Sequence, residues 1–183
     1  AAVTRVNRFF GTTWTAENCR YPVRKTQENG DDRTKPANII ITCTDNTRSR
    51  LELWRFLKKY RETSVNNERA VYYWMDFGNA QTTGQVFIGT VRNKIRQPAS
   101  KEFMPVPGMN VITEEVNYST IEEKDSEPSC SLAEALERQD LYINSILAQV
   151  GCDILWRMFK EGRTLYRGAY INLDTLRVNP IPV

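Results

Sequence analysis

The feature that most constrains this chain is the run ANIIITC at 37–43, a nearly continuous stretch of β-branched residues. Such a run reads as a strand covered on both faces, as in a parallel sheet, because a half-exposed strand would alternate with polar residues. From Asn46 to Tyr60 the apolar positions Leu51, Trp54, Phe56, Leu57 and Tyr60 instead fall at helical spacing. Two more apolar segments follow, Ala70–Met75 and Gln85–Val91, separated by the turn-rich DFGNAQTTG. That order predicts a β-α-β unit with parallel outer strands, then a third strand returning antiparallel.

The flanking segments are read in the same way. Val3, Val6, Phe9 and Phe10 predict a short helix ended by Gly11, with no cap residue before it. The expectation is a chain cut from something longer, the alternative a native short helix. Thr15–Val23 is expected to add a strand. Residues 93–129 hold Pro98, Pro105, Pro107, Gly108 and Pro128 and the acids Glu114, Glu115, Glu122, Glu123, Asp125 and Glu127, and they predict a long irregular connection. Connections of that length are functional or plain solvated linkers, and both readings stand. From Ser131, which has capping-box spacing to Glu134, a helical pattern runs to Phe159, with Gly151 expected to bend or divide it and Gly162 to end it. A terminal hairpin is expected around Asp174 and Thr175. At 183 residues the expectation is a single α/β domain.

Composition removes several chemistries. Histidine is absent, so Ser-His and Cys-His catalysis and histidine-ligated metals are excluded within the chain. Cys19, Cys43, Cys130 and Cys152 form no CxxC pair, so no zinc site is expected. Cys43 and Cys152 read as core. No run reaches membrane-spanning length, which leads to the expectation of a cytoplasmic protein that does not engage a membrane. Net charge is +3, and the basic residues Arg48, Arg50, Arg55, Lys58, Lys59 and Arg61 read as a solvated helix face, so nucleic acid is not an expected partner.

The segment with most chemical content is IIITCTDNTRSR at 39–50, where a strand ends and a helix begins. A carboxylate at Asp45 there stands where ligands of open α/β sheets bind, and could hold magnesium or orient a nucleotide. The competing reading is that Asp45 or Thr44 caps the helix. CTDN followed by Arg50 resembles the signature of ThiF-like, ubiquitin-activating-type adenylyltransferases. YWMDFGN with TGQ, at 73–85, resembles the family's next strand and turn. PSCSLAEALERQDLYIN at 128–144 and the ending YINLDTLRVNPIPV are most similar to the ThiF-family branch of the plasmid-associated PRTRC system.

The resemblance implies the C-terminal half of a Rossmann-like activating domain, a mixed sheet with flanking helices. It implies adenylation by ATP and magnesium of the C-terminal carboxylate of a ubiquitin-like carrier, in a protein expected to form a homodimer. Asp45 would act with the metal, Asn46 and Arg50 would join it at the nucleotide, and the sheet edge at 71–91 would guide the carrier's tail. Cys130 lies where some relatives carry a thioester or persulfide cysteine. A helix N-terminus would favour its thiolate, whereas Asp125 and Glu127 oppose it, and an ordinary half-buried cysteine remains the other reading. The family's Gly-rich phosphate turn is missing, so the chain alone is expected to be inactive. A non-catalytic interaction or dimerisation module is the alternative.

Overall fold

A computed structural model describes residues 2–18, 21, 37–44, 46–61, 70–118 and 140–183. Asp45, Cys130 and the expected helix start at Ser131 lie outside the described residues.

Residues 1–35 and 36–183 form separate compact units. In the first, α1 spans Ala2–Phe10 and buries none of its residues. Gly11 follows at φ +66°, a left-handed turn that costs glycine nothing. Asn7 then organises the exit: its Oδ1 accepts from Thr12 Oγ1 at 2.7 Å and from the Trp14 N–H at 2.9 Å, and its Nδ2 donates to the Trp14 carbonyl at 2.7 Å. Of the strand expected over Thr15–Val23, residues 15–18 are irregular, and residues 19, 20, 22 and 23 lie outside the described residues.

The second unit is an α/β structure built on one five-stranded mixed sheet in the order β1-β2-β3-β4-β5, flanked by helices. The strands are β1 (Ile39–Thr42), β2 (Tyr73–Asn79), β3 (Thr83–Thr90), β4 (Tyr166–Asn172) and β5 (Arg177–Pro182). β1 and β2 are parallel, with Ile40 opposite Trp74, and α2 (Thr47–Leu57) makes the crossover, extended by a 3-10 turn at Lys58–Tyr60. All other neighbours are antiparallel.

The period-2 alternation assigns each face. On one face Ile40, Trp74 and Phe87 pack under Leu53, Trp54 and Leu57 of α2, with Trp54 stacked 6.1 Å from Trp74. On the other, Met75, Val86 and Ile88 pack under α4 (Ile143–Glu161). Gly151 does not divide α4. A Cβ there would fall 2.3 Å from the Phe77 ring, so glycine lets an unbroken helix press on the sheet. Gly162, at φ +69°, caps it.

Two expectations about this sheet need correction. α4 covers β2, β3 and β4, so that among the described residues β1 is covered on one face only: Ile40 is buried and Ile41 is 51% exposed. β2 also runs four residues further than its polarity suggests, through Asp76, Phe77, Gly78 and Asn79, and the turn is confined to residues 80–82. The irregular connection is pinned to the fold by a short helix, α3 (Ile112–Glu115), whose Ile112 is buried. Its acids are engaged: Glu114 pairs with Arg61 at 2.7 Å and Glu115 with Arg167 at 2.9 Å. The expected terminal hairpin is β4–β5.

Candidate functional site at the carboxyl edge of the parallel strands

Where β1 passes into α2, Asn46 adopts an extended conformation (φ −136°, ψ 154°) and its Oδ1 accepts the Ser49 N–H at 2.8 Å. Asn46 is therefore the helix cap, which corrects the expectation that Asp45 or Thr44 plays that part. The Thr44 hydroxyl is buried with no hydrogen-bond partner.

One turn into α2, Arg50 points inward, contrary to the solvated position expected for it, while Arg48, Arg55, Lys58 and Lys59 are exposed as expected. Arg50 Nε donates to Asp76 Oδ2 at 2.8 Å, and Nη2 donates to the carbonyls of Thr44 at 2.6 Å and Phe77 at 2.8 Å. The guanidinium thus joins the ends of β1 and β2. Asp76, wholly buried, accepts through its other oxygen from Thr42 Oγ1 at 2.6 Å, and Thr42 accepts from Trp74 Nε1 at 2.8 Å. Trp74, Asp76 and Gly78 share one face of β2, and a Cβ at Gly78 would sit 3.1 Å from Arg50 Nη2. Burial pushes the Asp76 carboxyl above its ordinary value, outweighing the downward pull of Arg50 and Thr42.

Cys43 is exposed and not core, and so is Cys152 on the outer face of α4. The Cys43 thiol is held above its usual range by partial enclosure and by Asp76, with Arg50 opposing. That leaves less thiolate for nucleophilic work at neutral pH.

Beside Arg50 lies a pocket of about 520 Å³, walled by Gly78 and Asn79 at the end of β2, Thr83–Gln85 at the start of β3, Tyr118, and Tyr170–Asn172 of β4. The Tyr118 ring is buried 6.0 Å from the guanidinium carbon. Its hydroxyl has no hydrogen bond of normal geometry, although the Gln85 amide approaches it. Burial raises its pKa to about 12. A larger hollow of about 830 Å³ is lined, among the described residues, by Thr4, Arg5, Val6, Arg8, Phe9 and Phe10 of α1.

Of the residues expected at a site, Arg50 and Asn46 stand at this edge, Arg50 within the pocket wall and Asn46 turned to its cap. Asp45 follows Thr44 directly in the chain. Sequence reasoning missed Asp76, Gln85 and Tyr118. The signal for Asp76 was present, since a carboxylate amid YWMDF needs a buried cation and Arg50 is the basic residue at the inward helical phase.

The Thr44 hydroxyl, without a hydrogen-bond partner among the described residues, adjoins the Asp45 position just past the end of β1. Among the described residues, no group of three or more Cys, Asp or Glu side chains could hold a metal alone, and no helix is long and apolar enough to cross a membrane. No protein-family model matches the chain, and no curated protein matches it.

Proposed function

We propose that the chain forms one wall of an adenylation site of the ThiF-like, ubiquitin-activating type, and that it belongs to the C-terminal half of such a domain. The observation that carries the reading is the setting of the CTDN…R segment, at the carboxyl edge of a parallel β1–α2–β2 unit with Arg50 bridging the two strand ends. In the proposed reaction, a carboxylate oxygen at the carrier's C-terminus attacks the α-phosphorus of ATP. The bond to the bridging oxygen breaks, giving acyl-adenylate and pyrophosphate.

Asp45, with Thr44 beside it, would hold magnesium, which supplies positive charge where phosphate charge develops. Asn46 fixes the start of α2 and so the direction of the Asp45–Asn46 backbone. Arg50 would stay with the strand ends, beside the nucleotide. Cys130 would take the acyl group from the adenylate as a thioester, with release of AMP. The carrier is a ubiquitin-like protein and the working form a homodimer.

The test is carrier-dependent exchange between pyrophosphate and ATP, measured on the protein as the cell makes it. Asp45→Asn should lower exchange by about a hundredfold or more at unchanged melting temperature. Exchange that survives the substitution would remove Asp45 from the chemistry. The chain of 183 residues alone should show no saturable heat with ATP and magnesium, and micromolar binding would overturn that part of the reading.

One observation favours the module alternative. β1 has a neighbour on one side only within the described sheet, and Ile41 is exposed beside that open edge. If light scattering finds stable self-association and the protein shows no exchange activity with any carrier, the edge is the function and the adenylation reading falls.

A further inference from the structure

We propose that the pocket at the β2–β3 turn binds the carboxylate of a small monoanionic ligand, gripped by Arg50 and by the Gln85 amide. The inference goes beyond the adenylation reading, because it holds whether or not the chain forms adenylates.

The lining sets the ligand's charge. Among the described residues, Arg50 is the one cation lining the pocket, and no carboxylate joins it there. Asp76 stands behind Arg50, where it takes Nε and the Thr42 hydroxyl. Nε and Nη2 are occupied, whereas Nη1 makes no hydrogen bond among the described residues, so its N–H groups are the donors left for a ligand. Because Asp76 already offsets part of the guanidinium charge, the pocket suits a single negative charge. A phosphate dianion would call for further cations, and none of the described residues lining the wall supplies one.

The second grip is built into the β2–β3 ladder. Gly78 lies opposite Gln85, and a Cβ on Gly78 would fall 3.1 Å from both Arg50 Nη2 and Gln85 Nε2. Glycine therefore lets the guanidinium and the amide converge over one bare stretch of backbone. Gln85 also borders the Tyr118 hydroxyl, which is enclosed and unpartnered. A ligand that accepts from the Gln85 NH2 would leave the Gln85 carbonyl to turn toward that hydroxyl, so binding would satisfy a polar atom that the free protein leaves alone. Three bonds hold Arg50 in place beforehand, which limits the ordering cost of binding.

A carboxylate of this kind can come from a free small acid or from the end of a peptide. Calorimetric titration of the full chain without ATP separates them, using N-acetylglycine, N-acetylglycylglycine, N-acetylglycinamide and inorganic phosphate. The acids should bind, and the neutral amide should bind about tenfold more weakly or worse, since it lacks the charge that strengthens the bond to arginine. Equal affinity for the two acids assigns the site to a free acid, and tighter binding of the longer one assigns it to a peptide terminus. Gln85→Met should weaken the acids about fivefold or more with the fold unchanged by circular dichroism, and Gly78→Ala should do the same by forcing the two grips apart. The proposal is overturned if neither acid gives saturable heat, if the amide binds as well as the acids, if phosphate displaces them, or if folded Gln85→Met binds like the parent. Because no nucleotide is present, a failed exchange assay leaves this result intact, and a failed titration leaves adenylation to be judged by exchange.

Discussion

Arg48 and Arg50 stand two positions apart on the same helix and have opposite physical lives. Arg48 is exposed, with 80% of its side chain open to solvent, and it reaches Glu52 one turn along at 3.3 Å. Arg50 keeps 7% of its side chain open, binds Asp76 across 26 residues of sequence, and ties off two strand-end carbonyls. A surface pair trades hydration for a weak, screened attraction. A buried pair has lost its water, so each partner depends on the other. Composition cannot tell these arginines apart. Only the helical phase and the strand that meets it can.

The largest expected effect breaks the buried pair. Arg50→Ala, or separately Asp76→Ala, should lower unfolding free energy in urea by about 3–5 kcal/mol, because each strands a charge inside the protein. A loss under about 1 kcal/mol would mean that water reaches the pair and that the contrast with Arg48 is one of degree. Replacing both, as Arg50→Met with Asp76→Leu, should leave stability within about 1–2 kcal/mol of the parent while abolishing carboxylate binding. If the double variant is as unstable as either single one, the pair contributes more to the fold than its own desolvation costs.

Tyr118 sharpens the comparison by pH. Its folded-state pKa of about 12 lies above the ordinary tyrosine value of about 10, so the folded protein holds that proton more tightly than the unfolded chain. The stability it carries is complete below about pH 10 and is lost as pH rises through 12. Tyr118→Phe should flatten that alkaline loss and change little at neutral pH, where the hydroxyl makes no bond to lose. Smallest of all, Arg48→Ala should change stability by about 0.5 kcal/mol or less, with the difference vanishing in high salt.

How much was legible in the sequence follows from where signals are local. The parallel β1–α2–β2 unit could be read because a β-branched run and a helical phase are both short-range patterns. The terminal hairpin was legible for the same reason. The end of β2 was not: Asp76, Gly78 and Asn79 look like turn residues until Arg50, far away in sequence, supplies the partner that makes a buried aspartate tolerable. β1 misled in the other direction. Ile39–Ile41 reads as doubly covered, yet coverage depends on how far α4 reaches across the sheet, which no residue in the strand encodes. Gly151 invited a break because glycine lowers helix propensity, but Phe77 needed the space. The motif singled out Arg50 and Asn46, to which the fold gives a buried ion pair and a helix cap, whereas Gln85 and Tyr118 join the pocket only through the β2–β3 register and the irregular chain after β3.

The parallel pairing of β1 with β2 also has a kinetic meaning. β2 and β3 are joined by a tight turn and can zip locally within microseconds, whereas β1 must wait for a crossover to close before its ladder forms. Assembly should therefore begin on the β2–β3 hairpin, with β1 and α2 docking later, and the same segment should detach before the hairpin in the native protein. Amide hydrogen exchange would show it as earlier deuteration at Ile39–Thr42 than at Val86–Ile88. Arg50 rides on the detachable piece, while Gln85 belongs to the persistent one. The two halves of the carboxylate grip would then come apart and reunite without unfolding the rest, and a ligand that bridges them would slow β1 exchange more than any other part of the sheet.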